Sequence, residues 1–126
     1  MGVEYESGIN PPMFSLDNNG GQSLSNLSPP CVVCHVSTRS IQIMIPAMVN
    51  CPTGWTKEYG GYVVSQSQAQ TRTEFVCLDK VPEAVAGSGG SVDGAVFYVV
   101  EAQCGISLAC PPYVNGYEIS CVVCTK

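Results

Sequence analysis

The chain has 126 residues, enough for one domain with a core of its own, and carries 5 Lys and Arg against 10 Asp and Glu, a formal net charge of −5. An acidic chain without a basic cluster is a poor partner for nucleic acid or an anionic membrane surface. Its longest apolar run, Ala95 to Val100, is too short to insert in a bilayer. Charged residues make up 12%, about half the usual share, and Ser, Thr, Asn and Gln take their place, as in many extracellular domains.

Taken in chain order, the residues read as strands and turns. Val3, Tyr5 and Ser7 alternate with Glu4 and Glu6 and predict a short strand. Asp17 to Ser28 is a loop rich in Asn, Gly and Ser. The Val-Val pair inside Cys31-Val32-Val33-Cys34 favours a strand. Ser40 to Ile45 puts Ile41, Ile43 and Ile45 on one face, and Pro46 ends that strand. Gly60-Gly61 precedes a strand at Tyr62 to Val64. Thr71 to Leu78 alternates again, with Thr73, Phe75 and Cys77 on one side. Pro82 to Ala86 is predicted as a single helical turn, and Gly87 to Ser91 as a loop. Ala95 to Glu101 is β-branched and aromatic, the best candidate for the central strand. Tyr117 to Val123 closes the chain as a last strand.

No segment of about ten residues carries helical periodicity, and 13 Gly and 9 Pro punctuate the sequence throughout. The expected fold is therefore all-β: one disulfide-stapled domain over residues 1–126, a β-sandwich or barrel-like. Nothing marks an internal boundary.

The 8 cysteines admit three readings. Cys31 to His35 spells the CxxCH motif of c-type haem attachment, with Met44 or Met48 as a distal ligand. That motif usually lies on a helix, and the second copy, Cys121 to Cys124, lacks the histidine. Four thiolates from Cys31, Cys34, Cys121 and Cys124 suit tetrahedral zinc, but Val-Val is a poor knuckle turn and four cysteines remain unexplained. Disulfides account for all of Cys31, Cys34, Cys51, Cys77, Cys104, Cys110, Cys121 and Cys124, and imply an oxidising, extracellular compartment. In a strand Cys31 and Cys34 point to opposite faces and are badly placed to bond each other. If the two CVVC strands pair antiparallel, Cys31 faces Cys124 and Cys34 faces Cys121. Cys104 and Cys110 then pair locally, and Cys51 and Cys77 remain as partners. This is one of many connectivities open to eight cysteines, and zinc at the two CxxC pairs stays as the alternative. The opening Met1-Gly2-Val3-Glu4 is acidic with no apolar stretch after it, so the chain reads as a mature form whose leader has been removed.

Five stretches carry a resemblance: CVVCHVSTRSIQIMIPA, CPTGWTKEYGGY, RTEFVCLDKVPEA, DGAVFYVVEAQCG and ACPPYVNGYEISCVVCTK. In this order they resemble the C-terminal noncollagenous domain of sponge short-chain (spongin) collagens, from about Cys31 to Lys126 and more faintly from Val3. Relatives of that kind include secreted sugar-binding proteins of sponges and echinoderms that recognise galactose or N-acetyllactosamine. The resemblance implies an extracellular adhesion or recognition module. The chain departs from it in several places. It has no Gly-X-Y repeat. Met48 stands where relatives often have a basic residue, Gln70-Thr71 where they often carry histidines, and the Cys104 to Cys110 loop is one residue longer.

Enzymatic chemistry has little to stand on. His35 is the single histidine, the carboxylates are dispersed, and no motif activates a nucleophile. Sugar binding asks for less: an aromatic ring against the C–H face of the pyranose and a few polar side chains on its hydroxyls. Gly54 to Tyr62 is the densest such mixture, and it offers Trp55, Glu58, Tyr59 and Tyr62. A lone Trp in a small β domain is as readily a core residue. Arg72 and Glu74, two apart in one strand, form a possible polar wall or an ordinary solvated face. His35 and Arg39, four apart, share a face under the same period. Tyr113, Asn115 and Tyr117 follow a Pro-Pro pair, with Asn115-Gly116 reading as a tight turn. The expectation is a secreted lectin for galactose-terminated glycans, with no cofactor or metal, assembled as a homo-oligomer because single sugar sites are weak. The alternative is a structural matrix or adhesive module without sugar binding.

Overall fold

A computed structural model describes residues 3–5, 24, 26–66, 71, 74–90, 95–105 and 108–126. Among these residues there are six strands and no helix: β1 (Val3–Tyr5), β2 (Gln42–Pro46), β3 (Thr56–Ser65), β4 (Val76–Asp79), β5 (Ala95–Val99) and β6 (Ser120–Thr125). They form one sheet in the order β1-β5-β3-β6-β2, with β4 on the other side of β3. All pairings are antiparallel except that of β1 with β5. The fold is all-β, as the turn-rich, helix-poor sequence predicts. β3, not the apolar 95–101 segment, is the central strand. It is the longest, and it pairs with β4, β5 and β6.

β3 gives one edge to two strands in succession. Val63 donates its N–H to the Ile119 carbonyl at 2.9 Å and accepts from Val100 N–H at 2.8 Å. Below Val63 this edge carries β6, and above it β5. Ile119 N–H in turn reaches Val100 O at 2.8 Å, which closes a three-way junction.

The sheet curls sharply at this point. β4 and β6 flank β3 on opposite sides, where a flat sheet would hold them about 9–10 Å apart. Cys77 on β4 and Cys121 on β6 are nevertheless bridged, with Cα atoms 5.8 Å apart. Val63, Cys77, Cys121 and Val123 form the buried cluster inside the curl, with Met44 against them. The register puts all five on one face, because Val63 faces Cys77 and Met44 faces Val123. On the opposite face Val64 and Val99 make a second cluster with Tyr62, Leu78 and Phe97. The curl tends toward a barrel but does not close, because the outer edge of β2 meets no further strand among the described residues.

β6 is buried from Cys121 to Thr125, and its two cysteines point to opposite faces, as strand geometry requires. Their partners differ from those expected. Cys121 bonds Cys77 and Cys124 bonds Cys51, while Cys104 bonds Cys110 as anticipated. Cys31 and Cys34 are free and exposed. The physical reason is that Cys31 to Val36 forms no strand, so the two CVVC segments never pair. β2 occupies the β6 edge instead, with Ile43 opposite Cys124 and Pro46 opposite Cys121.

Smaller expectations also change. Pro82 to Ala86 makes no helical turn, and Phe75 precedes β4 and is exposed. Most of the 17–28 loop lies outside the described residues, as do Ser91 and Thr73. Leu24, at its end, is fully buried. Just beyond it Ser28 N–H donates to Ser88 Oγ at 3.0 Å, and Val85 N–H to Ser28 O at 2.9 Å.

Candidate functional site

The first half of β3 supplies the side chains of interest. Its register against β6 shifts between Lys57, opposite Cys124, and Tyr59, opposite Val123, so Glu58 is the extra residue of a β-bulge. The bulge re-aims Glu58 toward the end of β6. There Glu58 Oε1 accepts from Thr125 Oγ1 at 2.5 Å and from Arg39 Nη2 at 2.7 Å. Arg39 Nε donates to the same Thr125 Oγ1 at 2.6 Å, which closes a ring of three residues. The Thr125 hydroxyl first, and the Arg39 guanidinium second, hold the Glu58 carboxyl below the usual glutamate range. The ring clasps the segment before β2 to β3 and β6.

A shallow groove of about 390 Å³ lies around Gly60 and Gly61, with Val49, Lys57, Tyr59, Tyr62, Asp79 and Lys80 among its walls. Gly60 keeps this space open, and Gly61 lets β4 pack closely on β3. A Cβ on Gly60 would lie 3.3 Å from both the Cys121 carbonyl oxygen and Lys57 Cε. On Gly61 it would collide with the Leu78 carbonyl, which is backbone and cannot step aside. Bare backbone is therefore the floor.

The walls are positioned by the fold. Lys57 Nζ donates to Val49 O at 2.6 Å, leaving two of its ammonium protons for a ligand. Asp79 Oδ1 accepts from Val81 N–H at 2.8 Å, which fixes the carboxylate. Lys80 is anchored by its N–H on Gly60 O at 3.3 Å. Tyr59 donates its hydroxyl to Cys77 O at 2.9 Å; burial, and then the charge of Asp79, raise its pKa. Burial, and then Glu118, do the same for Tyr62. The lining combines Tyr59 and Tyr62, which stand on opposite faces of β3, with two lysines and one aspartate, a mixed apolar and polar surface suited to binding. Among the described residues no three His, Cys, Asp or Glu side chains converge to hold a metal ion.

The residues singled out from the sequence are only partly brought together. Arg39 and Glu58 meet in the ring, and Tyr59 stands in the groove wall. Trp55 is half-buried at the head of β3, with its N–H on Pro52 O at 3.1 Å, and is not part of the groove. His35 is exposed, and since it lies outside any strand its supposed shared face with Arg39 does not exist. Glu74 is exposed ahead of β4, and Arg72 lies outside the described residues. Asn115 does turn chemistry: its Oδ1 accepts from Cys104 N–H at 2.9 Å, beside Gly116 at φ 79°. Sequence reasoning missed Lys57, Asp79 and Lys80 as groove residues. The signal was the Gly-Gly pair inside an alternating run, a mark of close backbone approach or of a surface left bare.

No family model, curated protein or solved structure matches the chain. Among the described residues no helix is long and apolar enough to cross a membrane.

Proposed function

We propose that this is a secreted carbohydrate-binding protein, a lectin for β-galactosides such as N-acetyllactosamine, with the groove over Gly60 and Gly61 as its site. The observation that carries this reading is the groove's composition. Of Tyr59 and Tyr62, which stand on opposite faces of β3, one ring serves the C–H face of a pyranose, and Lys57, Asp79 and Lys80 offer donors and an acceptor for its hydroxyls. A volume near 390 Å³ sits at the lower end of small-ligand sites, which suits one or two sugar rings. The galactose preference comes from the resemblance to the spongin-type noncollagenous domain and its sugar-binding relatives. Three disulfides fit an oxidising compartment.

The second reading, a structural matrix or adhesive module, draws on the two exposed thiols at Cys31 and Cys34. Retention on lactose-agarose with elution by free lactose, followed by a glycan array, separates the two. The lectin reading expects selective binding to terminal galactosides, weakened about threefold to tenfold by Asp79→Asn or Lys80→Gln, one hydrogen bond's worth each. A blank array from protein shown to be folded overturns it.

A further inference from the structure

Six of the eight cysteines are committed to staples inside the domain. The remaining two, Cys31 and Cys34, are exposed thiols on a segment that belongs to no strand. The apolar side chains between them are also outside: Val32 is 83% exposed and Val33 100%. Neither turn nor bend interrupts Cys31 to Val36. Cys31 and Cys34 are not bonded to each other, and both are exposed to partners outside the chain.

We propose that Cys31 and Cys34 form interchain disulfides that join two copies of this chain into a covalent dimer. A second copy is the partner that satisfies the pattern alone. Two chains bring four thiols, which close as two bridges with none left over, and an isologous contact also covers the Val32-Val33 pairs of both chains. Each bridge forms by thiol–disulfide exchange with a low-molecular-weight disulfide of the glutathione type. One protein thiolate attacks that disulfide and releases one small thiol. The thiolate of the other chain then displaces the second. Per bridge, two protein thiols are oxidised to one disulfide and one small disulfide is reduced to two thiols. Exposure of both sulfurs gives the access this exchange requires. The inference does not depend on the sugar reading, but a dimer would give a weak single site the avidity it needs.

The test is to produce the chain in an oxidising compartment, block free thiols with N-ethylmaleimide, and compare non-reducing with reducing gels and intact masses. The expected result is a species of twice the chain mass that carries no label, collapses on reduction, and gives cross-linked peptides containing Cys31 and Cys34. Cys31→Ser/Cys34→Ser should give monomer with an unchanged thermal midpoint. A monomer with two labels, an unlabelled monomer with a Cys31–Cys34 bridge, mixed disulfides to other proteins, or a dimer that survives in the double variant would each overturn the proposal.

Discussion

Removing the Cys77–Cys121 bridge should cost the domain far more stability than removing Cys104–Cys110. The bridge spans 44 residues. On the chain-entropy account, a cross-link across a loop of that length restricts the unfolded chain by about 4 kcal/mol, whereas one of the size of Cys104–Cys110, spanning 6 residues, contributes about 2 kcal/mol. Cys77 and Cys121 are also both buried in the cluster inside the curl, so the native state loses packing as well. A total of about 4 kcal/mol is a large share of the stability of an ordinary domain, about 5–15 kcal/mol. The assay is urea unfolding of Cys77→Ala/Cys121→Ala beside Cys104→Ala/Cys110→Ala, at fixed pH and with the other bridges intact. The first variant should lose about twice the free energy of the second, with its midpoint lower by about 1–4 M for the usual slopes. Neither variant should release a new thiol, because each removes both ends of one bridge. Equal midpoints, or a new free thiol at Cys51, would refute the connectivity and the role given to the curl.

Gly61→Ala forces a Cβ into the Leu78 carbonyl, so β4 must part from β3; a loss of about 1–3 kcal/mol is expected, read by thermal unfolding, and an unchanged midpoint would contradict the close approach. Ala47 holds φ at 60°, a region that favours glycine. Ala47→Gly should leave stability equal or raise it by up to about 1 kcal/mol, measured the same way. Glu58 is held below its usual pKa by Thr125 and Arg39, so its contribution is complete above the unfolded-chain value near 4.3 and fades as pH falls through the depressed folded value. The stability gap between wild type and Glu58→Gln should therefore be widest near neutrality and narrow in acid; a gap that widens below pH 4 would contradict the ring.

The fold class was legible because strand signals are local. Five of the predicted strands coincide at least partly with β1, β2, β4, β5 and β6, since alternation and β-branched residues act within a few positions of each other. β3 was read only from Tyr62 onward, because Gly60-Gly61 looked like its start. In the fold these glycines are interior, tolerated because β4 presses against one and the groove opens over the other. The disulfides failed differently. The opposite-face argument made for Cys31 and Cys34 fails because that segment forms no strand; it holds for Cys121 and Cys124 in β6, but no local signal says which loop reaches them. Cys51 arrives from the turn after β2, and Cys77 only because the sheet curls. Glu58 was found as a polar residue among aromatics and Arg39 as a supposed strand neighbour of His35, and Thr125 completes their ring through a bulge that no short-range pattern announces. Lys80 and Asp79 join the groove only through the β3–β4 register.

The most direct test of the central claim is a lactose titration of ¹⁵N-labelled protein followed by amide shift perturbation. The account predicts saturable shifts confined to Lys57, Gly60, Gly61, Tyr62, Asp79, Lys80 and their immediate neighbours, abolished in Asp79→Asn/Lys80→Gln. A spectrum that lactose and N-acetyllactosamine leave unmoved at millimolar concentrations, or shifts that cluster away from Gly60 and Gly61, would contradict it.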